Sequence, residues 1–512
     1  MKRPTLGVHL LETITKGMYS EPLDCVREYI QNAYDSIRAE RRNGGLAADK
    51  GEVKVVVDKA NKTVRIVDDG RGLEPEEAAT YLLDLGASEK AETQDKAKEN
   101  AGFRGIGRMA GITYCDTLKF STSRGYDIKT VIRFDARQLR KLTRAGQTPT
   151  TIIDAIGKNV DVSEEPNESG NRFFEVALEG INDCSFLNPE RLNEYLGEVA
   201  PVAFDPQQWR FGEKIMKIAR ERNFQESLGH IAISIVNSDG EVLYDVRRPH
   251  KNTLTNNAKI MGVEPLPLDG THPSEWWGWL AVHSRSAQLK DSFSGVRLRM
   301  HNIQIGDDKT FARFFEGSNV RFNKWCIGEI HIIDPNVVPN TRRDYFESTH
   351  EWKFVRAQLA DNAKAIEKKI RFESKDRNED PARVLRETKR ILVDVSGHME
   401  VGFDSRDGRD EQINTLTEQG EKLNALEKKL KKSKLETYVD QIAKAKEDVE
   451  RQKQELRAIS RFQSDDAVAH LDKKSRRVVK IIEKVLKESL KKEVFADIRV
   501  KIYEALQPGN RK

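Results

Sequence analysis

The 512-residue sequence predicts an α+β chain that gives way to α-helix in its C-terminal part. Three observations carry this prediction. An apolar stripe at helical spacing near the N-terminus is followed by alternating strand patterns. A second set of alternating strands fills the middle. Beyond about residue 411, leucine, isoleucine and valine recur at 3-4 spacing, the pattern of packed helices.

The first helix is expected from Ser20 to about Glu40. Leu23, Val26, Ile30, Ala33 and Ile37 form its apolar stripe, with Ser20 as N-cap and Pro22 in the first turn. Glu28, Asn32 and Asp35 stand at i, i+4 and i+7, so they share the opposite face. Taken alone, such a face reads as solvated. Two strands follow, Glu52 to Asp58 and Thr63 to Asp68, joined through Asn61-Lys62 as a hairpin. Val64, Ile66 and Asp68 alternate, which points the Asp68 carboxylate to the apolar side. A carboxylate turned inward needs a partner. Gly70 and Gly72 let the backbone after it turn and approach something closely.

Pro75 to about Leu85 reads as helix. Residues 86–102, GASEKAETQDKAKENAG, hold no aromatic residue and little to bury, so they read as a mobile loop or weak helix. Gly102, Gly105 and Gly107 then lead into a short helix, an arrangement whose backbone N–H groups suit phosphate. Strands are expected around 115–121, 128–134 and 173–178.

Composition narrows the class. Charged residues make up 33% and the formal net charge is only +5, which demands no nucleic-acid partner but leaves room for a local basic patch. Cys25, Cys115, Cys184 and Cys326 are far apart, as expected of buried thiols in a reducing compartment. No apolar run is long enough to span a membrane, and Pro4, His9 and Glu12 interrupt any signal-like start. The expectation is a cytoplasmic protein with no membrane partner.

The order ExxxNxxD on a helix, DxGxG after a strand and GxxGxG before a helix resembles the GHKL ATPase superfamily. That group includes gyrase-type topoisomerases, heat-shock protein 90 chaperones, histidine kinases and mismatch-repair ATPases. Later, RFNKWCIGEIHIIDPNVVPNTRRDYFE resembles the middle domain of the heat-shock protein 90 family. The resemblance covers roughly residues 5 to 350 and implies a Bergerat-type α/β sandwich over 1–182, with an ATP lid at about 86–102. A chaperone-like α/β middle domain follows over 183–372, then a helix and linker over 373–410. A coiled coil with closing helices is expected over 411–512.

The resemblance also implies roles. Glu28 would be the base or water-orienting group. Asn32 would bind Mg2+, and Asp68 would accept from the adenine amino group, with Asp35 supporting the pocket. Gly70 and Gly72 would line the adenine and ribose side. Gly102, Gly105 and Gly107 would wrap the phosphates of ATP. Ser88 and Lys90 match a GxSxK pattern at the start of the lid. Asn340 and Arg343 fall at the spacing of a middle-domain Asn and Arg pair whose Arg reaches the γ-phosphate, and Arg342 is the adjacent candidate. One departure is visible: relatives carry a Gly-Thr pair before the strand at 173, where this chain reads GNRFFEV. The implied function is an ATP-hydrolysing, ATP-gated homodimeric clamp acting on a protein client or within a multi-protein complex. The alternative is a clamp on nucleic acid of the microrchidia type. The 3-4 pattern breaks phase near Ser433, which allows either a helical hairpin or one helix with a stutter.

Overall fold

The computed structural model describes residues 6–506 apart from 16, 18, 20, 85–104, 106, 145, 148–149, 256, 284–287, 379–380, 404, 434–438, 460–467, 469–470, 491–493, 496–497, 499–500 and 503–504. The chain divides into two compact units, Met1–Ile370 and Arg371–Lys512.

The first unit opens with helices α1 (His9–Thr15) and α2 (Asp24–Arg42), then strands β1 (Glu52–Asp58) and β2 (Thr63–Asp68) and helix α3 (Pro75–Leu83). Strands β3 (Thr117–Arg124) and β4 (Ile128–Asp135) precede helices α4 (Ala136–Leu142) and α5 (Ile152–Gly157). Strands β5 (Val160–Pro166) and β6 (Arg172–Glu179) follow, then helices α6 (Pro189–Val199) and α7 (Gly212–Glu221), and strands β7 (Ala232–Asn237) and β8 (Val242–Asp245).

All eight strands make one sheet in the order β5-β4-β3-β6-β2-β1-β7-β8. The hairpin forms as its sequence requires, with Val53 opposite Asp68 and Asp58 opposite Thr63. Strands β7 and β8, which the sequence placed in the middle region, join this first sheet. Strand β7 runs parallel to β1, Glu52 beside Ala232 through Val57 beside Asn237. The physical reason is β1 itself. Its Val53, Val55, Val56 and Val57 are all buried, so it is a central strand whose second edge must be paired.

Helix α2 lies against this sheet. Its predicted stripe is buried, from Leu23 to Ile37. The helix starts at Asp24 rather than Ser20, with Leu23 at the N-cap position and no side-chain cap bond; Ser20 lies outside the described residues. Three of the cysteines are buried as expected, but Cys184 is exposed.

The second sheet comprises β9 (Ile260–Leu266), β10 (Trp276–His283), β11 (Gly295–Met300), β12 (Ile303–Ile305) and β13 (Ile327–Ile332), in the order β12-β11-β13-β10-β9. Helix α8 (His350–Asn378) sends Trp352, Val355, Leu359 and Ile366 into the same core as Leu298 and Ile330. The fully buried Glu329 of β13 is held by two guanidiniums. Arg248 pairs with it directly, and Arg299 Nε donates to it at 2.7 Å. Burial alone would raise this carboxyl, but Arg248 and Arg299 hold it well below the usual carboxylate range.

The second unit contains helices α9 (Pro381–Val401), α10 (Arg406–Ser433), α11 (Val439–Ala458) and α12 (Lys473–Ser489). The break near Ser433 is a change of direction. Helices α10 and α11 run antiparallel, since Lys446 pairs with Glu427 at 2.6 Å while Arg409 Nη1 donates to the Ile459 carbonyl at 2.9 Å. The heptad-spaced Leu416, Leu423, Leu430, Ile442, Val449 and Leu456 are buried between them, and Val384 and Val395 of α9 complete the cluster. Within the helix and linker expected over 373–410, residues 396–401 and 406–410 are helical. Only Gly402, at φ 86°, stops the helix; Gly397 sits inside α9 with open space where a side chain would be.

Candidate functional site

The polar face of α2 is not solvated. Glu28 is 8% exposed and Asp35 2%, and Asn32 is half-buried. Burying a carboxylate costs stability unless something pairs with it. For Glu28 that group comes from far along the chain: Arg343 Nε stands 3.0 Å from Glu28 Oε1, and each side chain is only 11% exposed.

The loop after β13 is shaped to make this contact. Pro339 bridges to Phe346 across it. Asn340 closes the turn: its carbonyl accepts from Arg343 N at 3.0 Å and its Nδ2 donates to Asp344 Oδ1 at 2.6 Å. Arg343 itself is left-handed, φ 55°, a costly backbone state for a residue with a side chain. Its carbonyl is tied to Gly306 N at 2.8 Å. Arg342 turns elsewhere, donating to the Gly17 carbonyl at 3.2 Å, while its own carbonyl accepts from Arg27 Nη2 at 3.2 Å. Of the two candidate arginines, Arg343 is the one whose guanidinium reaches Glu28.

The other motifs converge on the same helix. Asp68, 4% exposed, accepts from Gly70 N at 3.0 Å. A Cβ at Gly70 would collide with Ser36 Oγ of α2. Ser36 Oγ also accepts from Arg71 N at 2.9 Å. Gly72 has φ 65°, and a Cβ there would run into the Ser123 carbonyl, so this turn requires glycine. Gly107 opens a short 3-10 helix, Gly107–Thr113, and a Cβ on it would stand 2.5 Å from Glu28 Oε2. The glycine backbone therefore lies directly against the carboxylate. Gly105, at φ 66°, precedes it. Gly102, Ser88 and Lys90, with the whole stretch 86–102, lie outside the described residues.

Tyr29 and Tyr195, which the motifs did not single out, and Arg71 and Arg108, which are local candidates for phosphate charge, hold this arrangement. Tyr29 OH donates to the Arg108 carbonyl at 3.0 Å and accepts from Gly111 N at 2.8 Å, tying α2 to the glycine segment. Tyr195 OH donates to Asp24 at 2.7 Å and fixes the start of α2. Arg108 donates to the Asp84 carbonyl at 2.7 Å, and burial pulls its guanidinium down to about 10. Arg71 pairs with Glu77 at 3.6 Å. A signal for Tyr29 existed in principle, as a polar-tipped aromatic on the flank of the motif helix, but its partner on the glycine segment is invisible in sequence.

The geometry thus brings a glycine backbone, the buried Asp35 and the buried Glu28–Arg343 carboxylate–guanidinium pair together at one helix. Residues 19–165 match the family model described as "Histidine kinase-, DNA gyrase B-, and HSP90-like ATPase". Over these residues the chain therefore carries a GHKL-type ATPase domain. It is similar to the chaperone protein HtpG of Polaromonas naphthalenivorans, 33% identical over 406 residues, covering 70% of this chain and 57% of that protein. Against the chaperone protein HtpG of Porphyromonas gingivalis the identity is 23% over 232 residues, 41% of this chain and 31% of the relative. A shorter match, 31% over 126 residues, joins it to the same-named protein of Psychrobacter cryohalolentis, 22% of this chain and 19% of that one. The chain spans 57% of the first of these relatives and about a third of the second.

Proposed function

We propose that this chain binds ATP on the face of α2 and hydrolyses it to ADP and phosphate. The observation that carries the proposal is the contact of Glu28 with both Gly107 and Arg343. Three segments far apart in sequence supply a carboxylate, an anion-binding backbone and a cation at one point. Phosphoryl transfer asks for this set: an oriented water, neutralised phosphate charge and a fixed nucleotide.

In this reading Glu28 accepts the proton of the attacking water. Arg343 gives up its pairing with Glu28 and places its charge on the γ-phosphate. Asp68 accepts from the adenine amino group, and Asp35 supports that wall. Gly70 and Gly72 bring backbone close to the base and ribose. Gly102, Gly105 and Gly107 offer N–H groups to the phosphates, and Ser88 and Lys90 belong to a closing segment. Asn32 suits Mg2+, because this ion keeps several waters and needs few protein ligands. Among the described residues no group of three His, Cys, Asp or Glu side chains could hold a metal ion. Mg2+, when bound, would neutralise phosphate charge.

Residues 183–372 would then act as a transducer, since the arginine comes from there. Nucleotide-driven closure of two copies into a clamp on a protein client completes the reading. Among the described residues no helix is long and apolar enough to cross a membrane.

The test is turnover and ATP affinity in the full chain. Glu28→Ala should bind ATP and lose turnover about 10²- to 10⁴-fold. A folded Glu28→Ala protein with normal turnover would remove Glu28 from the chemistry.

A further inference from the structure

Helix α2 carries one more polar side chain that neither the motif nor the proposed chemistry uses. Gln31 is 1% exposed, and neither its Oε1 nor its Nε2 has a hydrogen-bond partner among the described residues. It stands three residues after Glu28 and four after Arg27, one turn further along the same side of the helix. Down the helix axis it projects about 60° from Glu28 and about 40° from Arg27, between the two. The loop that touches this helix straddles that direction: the Arg342 carbonyl sits on Arg27 and the Arg343 guanidinium on Glu28.

Two other buried polar atoms nearby are also unpartnered. Arg27 pairs through Nη1 with Asp24 at 3.3 Å and through Nη2 with the loop, but its Nε has no partner among the described residues. The Tyr19 hydroxyl likewise has none, and it lies close enough to Glu28, Arg27 and Arg343 for each to act on its ionisation.

A side-chain amide can accept twice and donate twice. Buried without partners it destabilises the fold, and methionine would fill similar volume without that penalty. A packing role alone does not call for glutamine here. A small polar molecule does, because an enclosed water is held by two to four polar groups.

We propose that Gln31 is a positioning residue for ATP hydrolysis, its amide and the Arg27 Nε together holding the attacking water against the Glu28 carboxylate. This rests on the ATPase reading above. The water oxygen bonds to the γ-phosphorus and its proton passes to Glu28. The bond from the γ-phosphorus to the bridging oxygen breaks, and its electron pair leaves with ADP. An amide cannot take the proton, so Gln31 orients the water and Glu28 accepts.

The experiment compares the full chain with Gln31→Met and Gln31→Asn, using Mg2+ and ATP. Turnover, ATP affinity by calorimetry and melting temperature are measured on each. Gln31→Met should lose turnover about 10- to 100-fold, keep its ATP affinity within about twofold, and melt no lower than wild type. Gln31→Asn, which keeps an amide on a shorter arm, should recover part of the rate. Wild-type turnover in Gln31→Met overturns the inference while leaving the ATPase reading intact. So does a joint fall in turnover and melting temperature with Asn no better than Met, since that marks a packing role. A wild-type chain that neither binds nor hydrolyses ATP overturns both.

Discussion

Removing the Arg343 guanidinium should separate two effects that the structure joins. At a charge separation of about 4 Å and an effective dielectric near 20, the attraction to Glu28 is about 4 kcal/mol. Desolvating both groups offsets much of that, and each side chain remains 11% exposed. A net coupling of about 2 kcal/mol is therefore expected. A double-mutant cycle of Arg343→Met and Glu28→Gln reads it directly, with urea unfolding as the assay. Tryptophan fluorescence is suited to this. All six tryptophans, Trp209, Trp276, Trp277, Trp279, Trp325 and Trp352, lie in the first unit, so the signal excludes the helical unit.

The same variant tests chemistry. If Arg343 moves to the γ-phosphate, Arg343→Met should lose turnover about 10³-fold, the scale of arginines that act on transferring phosphoryl groups. ATP affinity should change by less than about threefold. A coupling below about 0.5 kcal/mol would mean that the pair does not persist in solution. Undiminished turnover in Arg343→Met would refute the cross-segment role, and Arg108 would be the next residue to test.

Three further outcomes are expected. Asp68→Asn should weaken ATP binding about 10- to 100-fold by calorimetry, the worth of a hydrogen bond to a charged group; a folded mutant with wild-type affinity would sink the adenine assignment. Gly107→Ala should push the Glu28 carboxylate off Arg343, because the new Cβ stands 2.5 Å from Oε2, and turnover should drop about 100-fold with ATP binding retained; normal turnover would show that the carboxylate has room to move. The third outcome concerns acid. Burial pushes His250 down to about 3. The unfolded chain takes up that proton near pH 6.5, so stability is full above pH 6.5 and falls as pH drops toward 3, by about 3 kcal/mol at pH 4. His250→Phe, into a site already lined by Trp209 and Phe293, should flatten the acid limb of a stability-pH curve; an unchanged limb would count against it.

Local periodicity made α2 and the β1-β2 hairpin legible, and it placed Asp68 on the buried side of β2 correctly. Those features depend on spacing within a few residues. The pairing of β7 with β1 joins residues about 180 positions apart, and nothing in IAISIV names its partner. The Arg248–Glu329–Arg299 cluster was illegible for the same reason: three charged residues in separate strands and loops look like surface until the fold closes on them. Arg343 could be singled out only through its spacing from Asn340. What the spacing could not say is that Asn340 shapes the turn through Asp344 and the Arg343 backbone. In the second unit, the stretch expected to hold a linker includes Gly397, which lies inside α9. A glycine inside a helix costs only about 1 kcal/mol, and the apolar face of α9, with Val384 and Val395, outweighs it.

The polar side of α2 ties these points together. Arg27, Glu28, Gln31 and Asp35 are all at most 8% exposed on one helix. A helix serving only the fold would carry apolar residues there, since each buried charge or amide must be offset by a partner. The partners come from everywhere else: Arg343 and the Arg342 carbonyl from beyond β13, Asp24 from the helix start, Gly107 from the glycine segment. Tyr34 extends the pattern, donating to the Gly229 carbonyl at 2.9 Å, which Asn302 Nδ2 also reaches at 2.9 Å. Asn302 in turn pairs with Arg248, and Arg248 with Glu329. One face of α2 therefore meets the Arg343 loop, and the Tyr34 side connects through buried polar groups to the second sheet. A ligand that changed what Glu28 binds would act on a helix already coupled to both, which is the arrangement a nucleotide needs if its chemistry is to move the rest of the first unit.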